Sequence, residues 1–344
     1  MRFFLPGMKP IRVAACAMAL CAIVALRSSA APAPDPPADV TGLIQTAQQQ
    51  FDSGNYWIAI KTLQSAVSRD SLSPQAYFWL ARSYFEIRDF DSAIAQAERA
   101  VALDVKNSLY HQWLGRAYGG KADRDRSFFT ARKVKKELME AVRLNPSNID
   151  ARLDLEDFCL DAPWIVGGSK DEAKEQVVAI AALDPVQGHV ARAKFDLEGL
   201  NRPDLAEGEF RQTLSAKPRS VEPYFEVIAF FQNQNKPRDM QSAIDDAAQI
   251  SPHDPRLSFF RGAALALTGG DPAQAEEYLK SYLARSPERS DWPSHAAARE
   301  WLGRVYQSEG RHAEASEQYR TSLQLEPGRK SVQLLLQKLE KASP

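Results

Sequence analysis

The 344 residues hold three cysteines, and two of them, Cys16 and Cys21, lie within a leading apolar segment. A chain that has shed that segment keeps Cys159 alone, so no intrachain disulfide can brace it and stability has to come from packing. A lone thiol in an apolar helical pattern reads as a small core residue rather than a nucleophile. The five histidines, His111, His189, His253, His295 and His312, are far apart, and none is spaced with another His or Cys as zinc would require. Phosphate-loop, nucleotide-binding glycine, serine-hydrolase and kinase signatures do not occur either, so no cofactor, metal or catalytic residue is expected. Gly167-Gly168-Ser169-Lys170 has the residue types of a phosphate loop in the wrong order. Ser169 with Glu172 instead reads as a capping box that opens a helix near Lys170. The acidic run Asp154, Glu156, Asp157 and Asp161 reads as a solvated helix face, not an acid/base pair.

Long hydrophobic stretches and charge of one sign are also missing. The longest apolar run, Val13 to Leu26, spans 14 residues, short of the roughly 20 that cross a bilayer as a helix. It follows a basic start and precedes Ser28-Ser29-Ala30, the order of parts in a secretory signal peptide. Residues 1–30 are therefore expected to be a signal peptide cleaved after Ala30, and residues 31–39 a Pro-rich linker. The expected location is the periplasm or cell envelope, with membrane association only if the signal is retained. Removing Arg2, Lys9, Arg12 and Arg27 from the 43 basic residues leaves 39 against 44 acidic ones, a net −5. That balance offers no general field for nucleic acid. Lys121 to Arg143 carries a local basic excess, but Asp123, Asp125, Glu137 and Glu140 interleave with it, the pattern of a solvated face.

What the sequence does contain is a period. Small residues recur at two fixed places, with aromatics between them and a Pro at the end, most clearly in Pro74-Gln75-Ala76-Tyr77, Leu80-Ala81, Tyr84-Phe85, Phe90, Ala93-Ile94, Ala97 and Ala100-Val101. In register, the terminal positions are Ser71, Val105, Pro146, Pro185, Pro218, Pro252, Pro287 and Pro327, 33 to 41 residues apart. Two helices per unit can cross closely where small residues meet, and Ala47/Ala59, Ala81/Ala93, Gly262/Ala275 and Gly303/Ala315 supply such pairs. The sixth unit has Ile228/Met240 there, which should push its helices apart, and the fifth has Lys194 where a small residue is expected. Ser73-Pro74 and Asp254-Pro255 mark helix starts.

This pattern resembles the tetratricopeptide repeat (TPR), whose signature is W-x2-L-G-x2-Y, then A-x3-F, then A and P. The resemblance implies an all-α, right-handed α-solenoid of about eight helix pairs over residues 40–330, followed by a capping helix and tail over 331–344. It also implies an extended concave face lined by the first helix of each pair, and hence a scaffold that binds a protein or peptide rather than an enzyme. The family's ligand-facing positions fall on Gln75, Phe78, Arg82 and Phe85, on Leu109, Gln112, Arg116 and Gly119, on Asp150, Leu153, Asp157 and Leu160, and on Phe225 and Phe259. The Lys and Asn pair of carboxylate-clamp members is missing. Arg82 and Arg116, one repeat apart, could hold an acidic or extended peptide through charge-assisted hydrogen bonds. The bland alternative is two surface arginines.

Insertions are expected near 119–130, 161–168 and 288–293. The first two fall between paired helices and should project from one edge of the array. They carry Phe128-Phe129 and Trp164-Ile165-Val166, apolar residues that must be covered by each other or by a partner. Partner binding is therefore placed on Phe78, Arg82, Phe85, Gln112, Arg116, Trp164, Phe225 and Phe259. The rival readings are an enzyme or enzyme subunit with an unmarked site, and an assembly factor anchored by an uncleaved signal.

Overall fold

The computed structural model describes residues 39–342. The expected signal peptide, most of the expected linker and the last two residues of the tail lie outside them. Among the described residues there are 17 α-helices and no strand. They run α1 Val40–Asp52, α2 Tyr56–Arg69, α3 Pro74–Glu86, α4 Phe90–Leu103, α5 Ser108–Asp125, α6 Phe128–Leu144, α7 Ile149–Asp161, α8 Lys170–Leu183, α9 Pro185–Lys194, α10 Pro203–Ser215, α11 Glu222–Asn233, α12 Pro237–Ile250, α13 Arg256–Thr268, α14 Pro272–Arg285, α15 His295–Ser308, α16 His312–Leu325 and α17 Lys330–Ala342. The first sixteen form eight antiparallel pairs, each packed on the next pair, with α17 on the last. No described helix is long and apolar enough to cross a membrane.

Starts and crossings follow from the residues predicted to make them. The Ser73 hydroxyl accepts from the Ala76 N–H ahead of Pro74, and Asp254 accepts from the Arg256 N–H while gripping its guanidinium. The Ser169 hydroxyl accepts from the Glu172 N–H, but the Glu172 carboxylate turns to Lys135 at 2.6 Å, so only half of the capping box forms. Ala47, Ala59, Ala81, Ala93, Ala275 and Ala315 are at most 2% exposed at their crossings. A Cβ on Gly262 would lie 2.6 Å from Leu279, so that approach needs glycine. Ile228 and Met240 are both fully buried, and their bulk is accommodated within the core. In the fifth pair the small residue at the crossing is Ala193, buried with Ala206, one place before the expected position. Lys194 swings out to Asp157 at 3.3 Å, and the helix continues as a π-turn, Phe195–Gly199.

The buried side chains form a succession of clusters along the array, as stacked repeats should: one from Ile44 to Leu80, one from Ala81 to Ala173, and a large one from Ala193 to Leu339. Val332 and Leu339 on α17 close the last with 0% and 3% exposure. Cys159 is buried among such residues, and burial pushes its thiol up to about 11.

Two expectations are corrected. The insertion near 119–130 is not a loop: α5 and α6 grow to 18 and 17 residues and absorb it, leaving a tight turn at Arg126 with φ +53°. The acidic run on α7 is not wholly a solvated face, because Glu156 is fully buried. In a stacked array α7 is covered by neighbours on two sides, so more of its circumference is buried than a single amphipathic stripe would suggest.

Candidate functional site

The inner face of the first three repeats is built on aromatic side chains. Phe78 is buried against Tyr110 and Trp113, with ring centroids 5.2 and 6.2 Å away. Arg82 lies among rings, its guanidinium carbon 4.4 Å from the Trp79 centroid, 4.6 Å from Trp113 and 4.7 Å from Phe51. Its Nε is buried without a hydrogen-bond partner. Burial lowers the Arg82 pKa to about 10, which leaves it a cation at neutral pH. Phe85 stands edge-on to Phe90 and Trp113, half-buried on a cavity wall.

In the third repeat, Gln112 is 1% exposed and donates to Asp154 at 2.7 Å, and Arg116 donates its Nε–H to the same oxygen at 2.7 Å. One carboxylate of α7 thus draws in two side chains of α5 and ties the third repeat to the fourth. The arginine pair is therefore not a free clamp for an acidic peptide: Arg82 is spent on the aromatic cluster and Arg116 on Asp154. Phe225 and Phe259 are also misplaced as ligand-facing stations. Phe225 stacks on Phe260 with Arg256 3.9 Å over its ring, and Phe259 packs on Phe260 and Tyr282, both within the core at 7% and 3% exposure. Position in the repeat alone cannot show whether the next helix covers it.

Trp164 is placed differently. It opens a one-turn 3-10 helix, Trp164–Val166, that lies beside the first turns of α6, where Arg132 donates to the Ile165 carbonyl at 3.1 Å and Lys135 to the Gly167 carbonyl at 2.8 Å. Mutual packing covers Val166, which is buried with Ala122 and Ala131. It does not cover the rest: Trp164 is 83% exposed and Phe129 85%, with Phe128 and Ile165 each more than half exposed.

Within the curve of the array lies a cavity of about 640 Å³, walled by Phe85, Phe90, Arg116, Asp123, Asp161 and Trp292 among others. Burial, reinforced by Asp161, raises Asp123 to about 6, while Arg88 opposes the shift. No group of three His, Cys, Asp or Glu side chains among the described residues is arranged to hold a metal. The 40-residue interval between Pro287 and Pro327 signals the insertion expected near 288–293, but not that Glu288, Arg289, Ser290, Trp292 and Ser294 line this cavity.

Helix pairs stacked in one direction, with a concave inner face, define an α-solenoid repeat protein. Residues 44–118 and 266–339 match tetratricopeptide repeat family models. The chain is a tetratricopeptide repeat protein. Among solved structures, the Cut9–Hcn1 hetero-tetramer of the APC/C is similar at 12% identity over 86% of this chain and 55% of that one, with a TM-score of 0.51. A thermophilic TPR protein of Thermus thermophilus matches at 20% identity over 56% of this chain and 98% of that one, TM-score 0.46. A TPR protein of Parabacteroides merdae matches at 15% identity over 77% and 98%, TM-score 0.48. At these identities the likeness concerns the fold. No curated protein matches the chain. A fold of this class suggests a scaffold for protein–protein interaction.

Proposed function

We propose that the chain is an exported, non-enzymatic scaffold of the cell envelope that docks a protein partner on the edge formed by Phe129, Trp164 and Ile165. The observation that carries this reading is exposure. Large aromatic groups left in water at the junction of two repeats, on a turn that Arg132 and Lys135 hold in place, have the character of an interface core awaiting its partner. The predicted concave residues support the same choice, since Phe78, Gln112, Phe225 and Phe259 are buried within the chain itself. Export rests on the composition and order of residues 1–30.

The test is capture from envelope extract with wild type and with a Trp164→Ala, Phe129→Ala double variant. The variant is expected to keep the wild-type melting temperature and to lose at least one partner, identified by mass spectrometry. Identical partner sets would refute the edge. N-terminal sequencing of the recovered chain, expected to begin at Ala31, checks export and separates cleavage from anchoring.

One observation favours a second reading. Asp123 and Asp161 stand on the cavity wall with both carboxyls pushed up by burial, the setting in which a general acid works. An enzyme with a site unmarked in the sequence would act through that pair. A product formed in extract by wild type but not by Asp123→Asn would move the assignment to it.

A further inference from the structure

The connection from α14 to α15 reaches across the inside of the array to the first two repeats, more than 200 residues away in the chain. Pro287 rests on Gly54, where a Cβ would collide with its ring and φ is +74°. The Tyr56 hydroxyl donates to the Glu288 carbonyl at 2.9 Å. The Ser290 N–H and hydroxyl donate to the two Glu86 carboxylate oxygens at 2.9 and 3.0 Å. The Arg289 guanidinium is 6.0 Å from the Phe51 centroid and 5.0 Å from Trp292. Burial raises the Glu86 carboxyl while the two Ser290 donors hold it down, so the seated strap supplies hydrogen bonds to a carboxylate that is buried beneath it.

These contacts have the form of peptide recognition. One donor and one acceptor of the seat engage main-chain groups, which any extended segment offers, while a glycine shelf takes a proline ring and a carboxylate takes a hydroxyl. The seat spans the C-terminal ends of α1 and α3 and the turn from α1 into α2, and it lies beside Arg82 and Phe85, where the family resemblance places ligand-facing positions. We propose that the seat formed by Phe51, Gly54, Tyr56 and Glu86 binds a peptide bearing a proline followed three residues later by serine or threonine. Residues 287–290 are its resident occupant, and a partner segment of the same chemistry enters by displacing them. The proposal rests on the reading of the chain as a binding scaffold but not on the exposed edge. Tethering gives the strap an effective concentration on the order of millimolar, so a free peptide meets strong competition until the strap is loosened.

A fluorescein-labelled synthetic peptide with the sequence of residues 285–294 tests this by anisotropy. It is titrated against full-length wild type, against a Pro287→Gly, Ser290→Gly strap variant, and against that variant with Glu86→Ala added. The strap variant is expected to bind at least ten times more tightly than wild type, and Glu86→Ala to reduce that affinity at least tenfold. Equal affinity for wild type and strap variant, or no binding by a strap variant with wild-type circular dichroism, would overturn the proposal. Tryptic cleavage after Arg289 reports the seating independently: it is expected to be slow in wild type and about tenfold faster with Glu86→Ala, and an unchanged rate overturns the strap. Since the peptide assay does not involve Trp164 or Phe129, its failure and the failure of the edge are separately visible.

Discussion

Glu156 gives the sharpest quantitative expectation. It is fully buried on α7, and neither carboxylate oxygen has a hydrogen-bond partner. Burial, aided by the charge on Asp157 and opposed by Lys194, raises its pKa from 4.5 to about 9. Between those values the folded chain keeps a proton that the unfolded chain has released. Folding therefore binds a proton across this window, and stability falls as pH rises from about 4.5 toward 9. At pH 7 the unfolded form is favoured by about 2.5 pH units at about 1.36 kcal/mol each, or about 3 kcal/mol. Glu156→Gln has nearly the same shape and is neutral in both states, so it removes this cost. It is expected to stabilise the protein by about 3 kcal/mol at pH 7 and about 5 kcal/mol at pH 8, but by less than about 1 kcal/mol at pH 5. Urea unfolding followed by far-UV circular dichroism at the three pH values, compared through midpoints at a common slope, measures the difference. A gain of the same size at every pH, or none at pH 7, would refute the account, because only a proton held in the native state makes the effect grow with pH.

Two other expectations follow from burial. Phe259→Ala should cost about 3–5 kcal/mol in the same urea assay, as a large core side chain does, and a loss below about 1 kcal/mol would return Phe259 to the ligand-facing surface. Cys159, buried and with its thiol pushed up to about 11, should resist iodoacetamide in the native protein at about pH 7.5 and react fully in about 6 M guanidinium; rapid native labelling detected by mass spectrometry would contradict that placement.

Local rules carried a sequence reading a long way here. Register, helix starts and crossings depend on residues within one unit, and Ser73, Ala81, Ala93, Gly262 and Val332 behave as that unit requires. The readings that failed are those in which a neighbouring unit decides. Phe225 and Phe259 hold ligand-facing positions by count, yet the adjoining helices cover them. Arg116 looked free until α7 brought Asp154 to it, and Lys194 was excused from the crossing by the same helix offering Asp157. Trp164 was legible as an apolar residue in a connection, but not that Val166 alone of its turn would find cover.

By itself, then, the sequence determined an array of helix pairs, its length in repeats and its capping helix. These are properties of spacing and composition, and they act over a few tens of residues. Only the tertiary structure decided which inner residues remain available, that Glu156 is desolvated, and that Ser286 to Ser294 lies against the first two repeats. The first two depend on what the adjoining repeat covers, and the last on small rotations accumulated from repeat to repeat, which bring Glu288 to Tyr56 across 232 residues of chain. No local pattern encodes that sum.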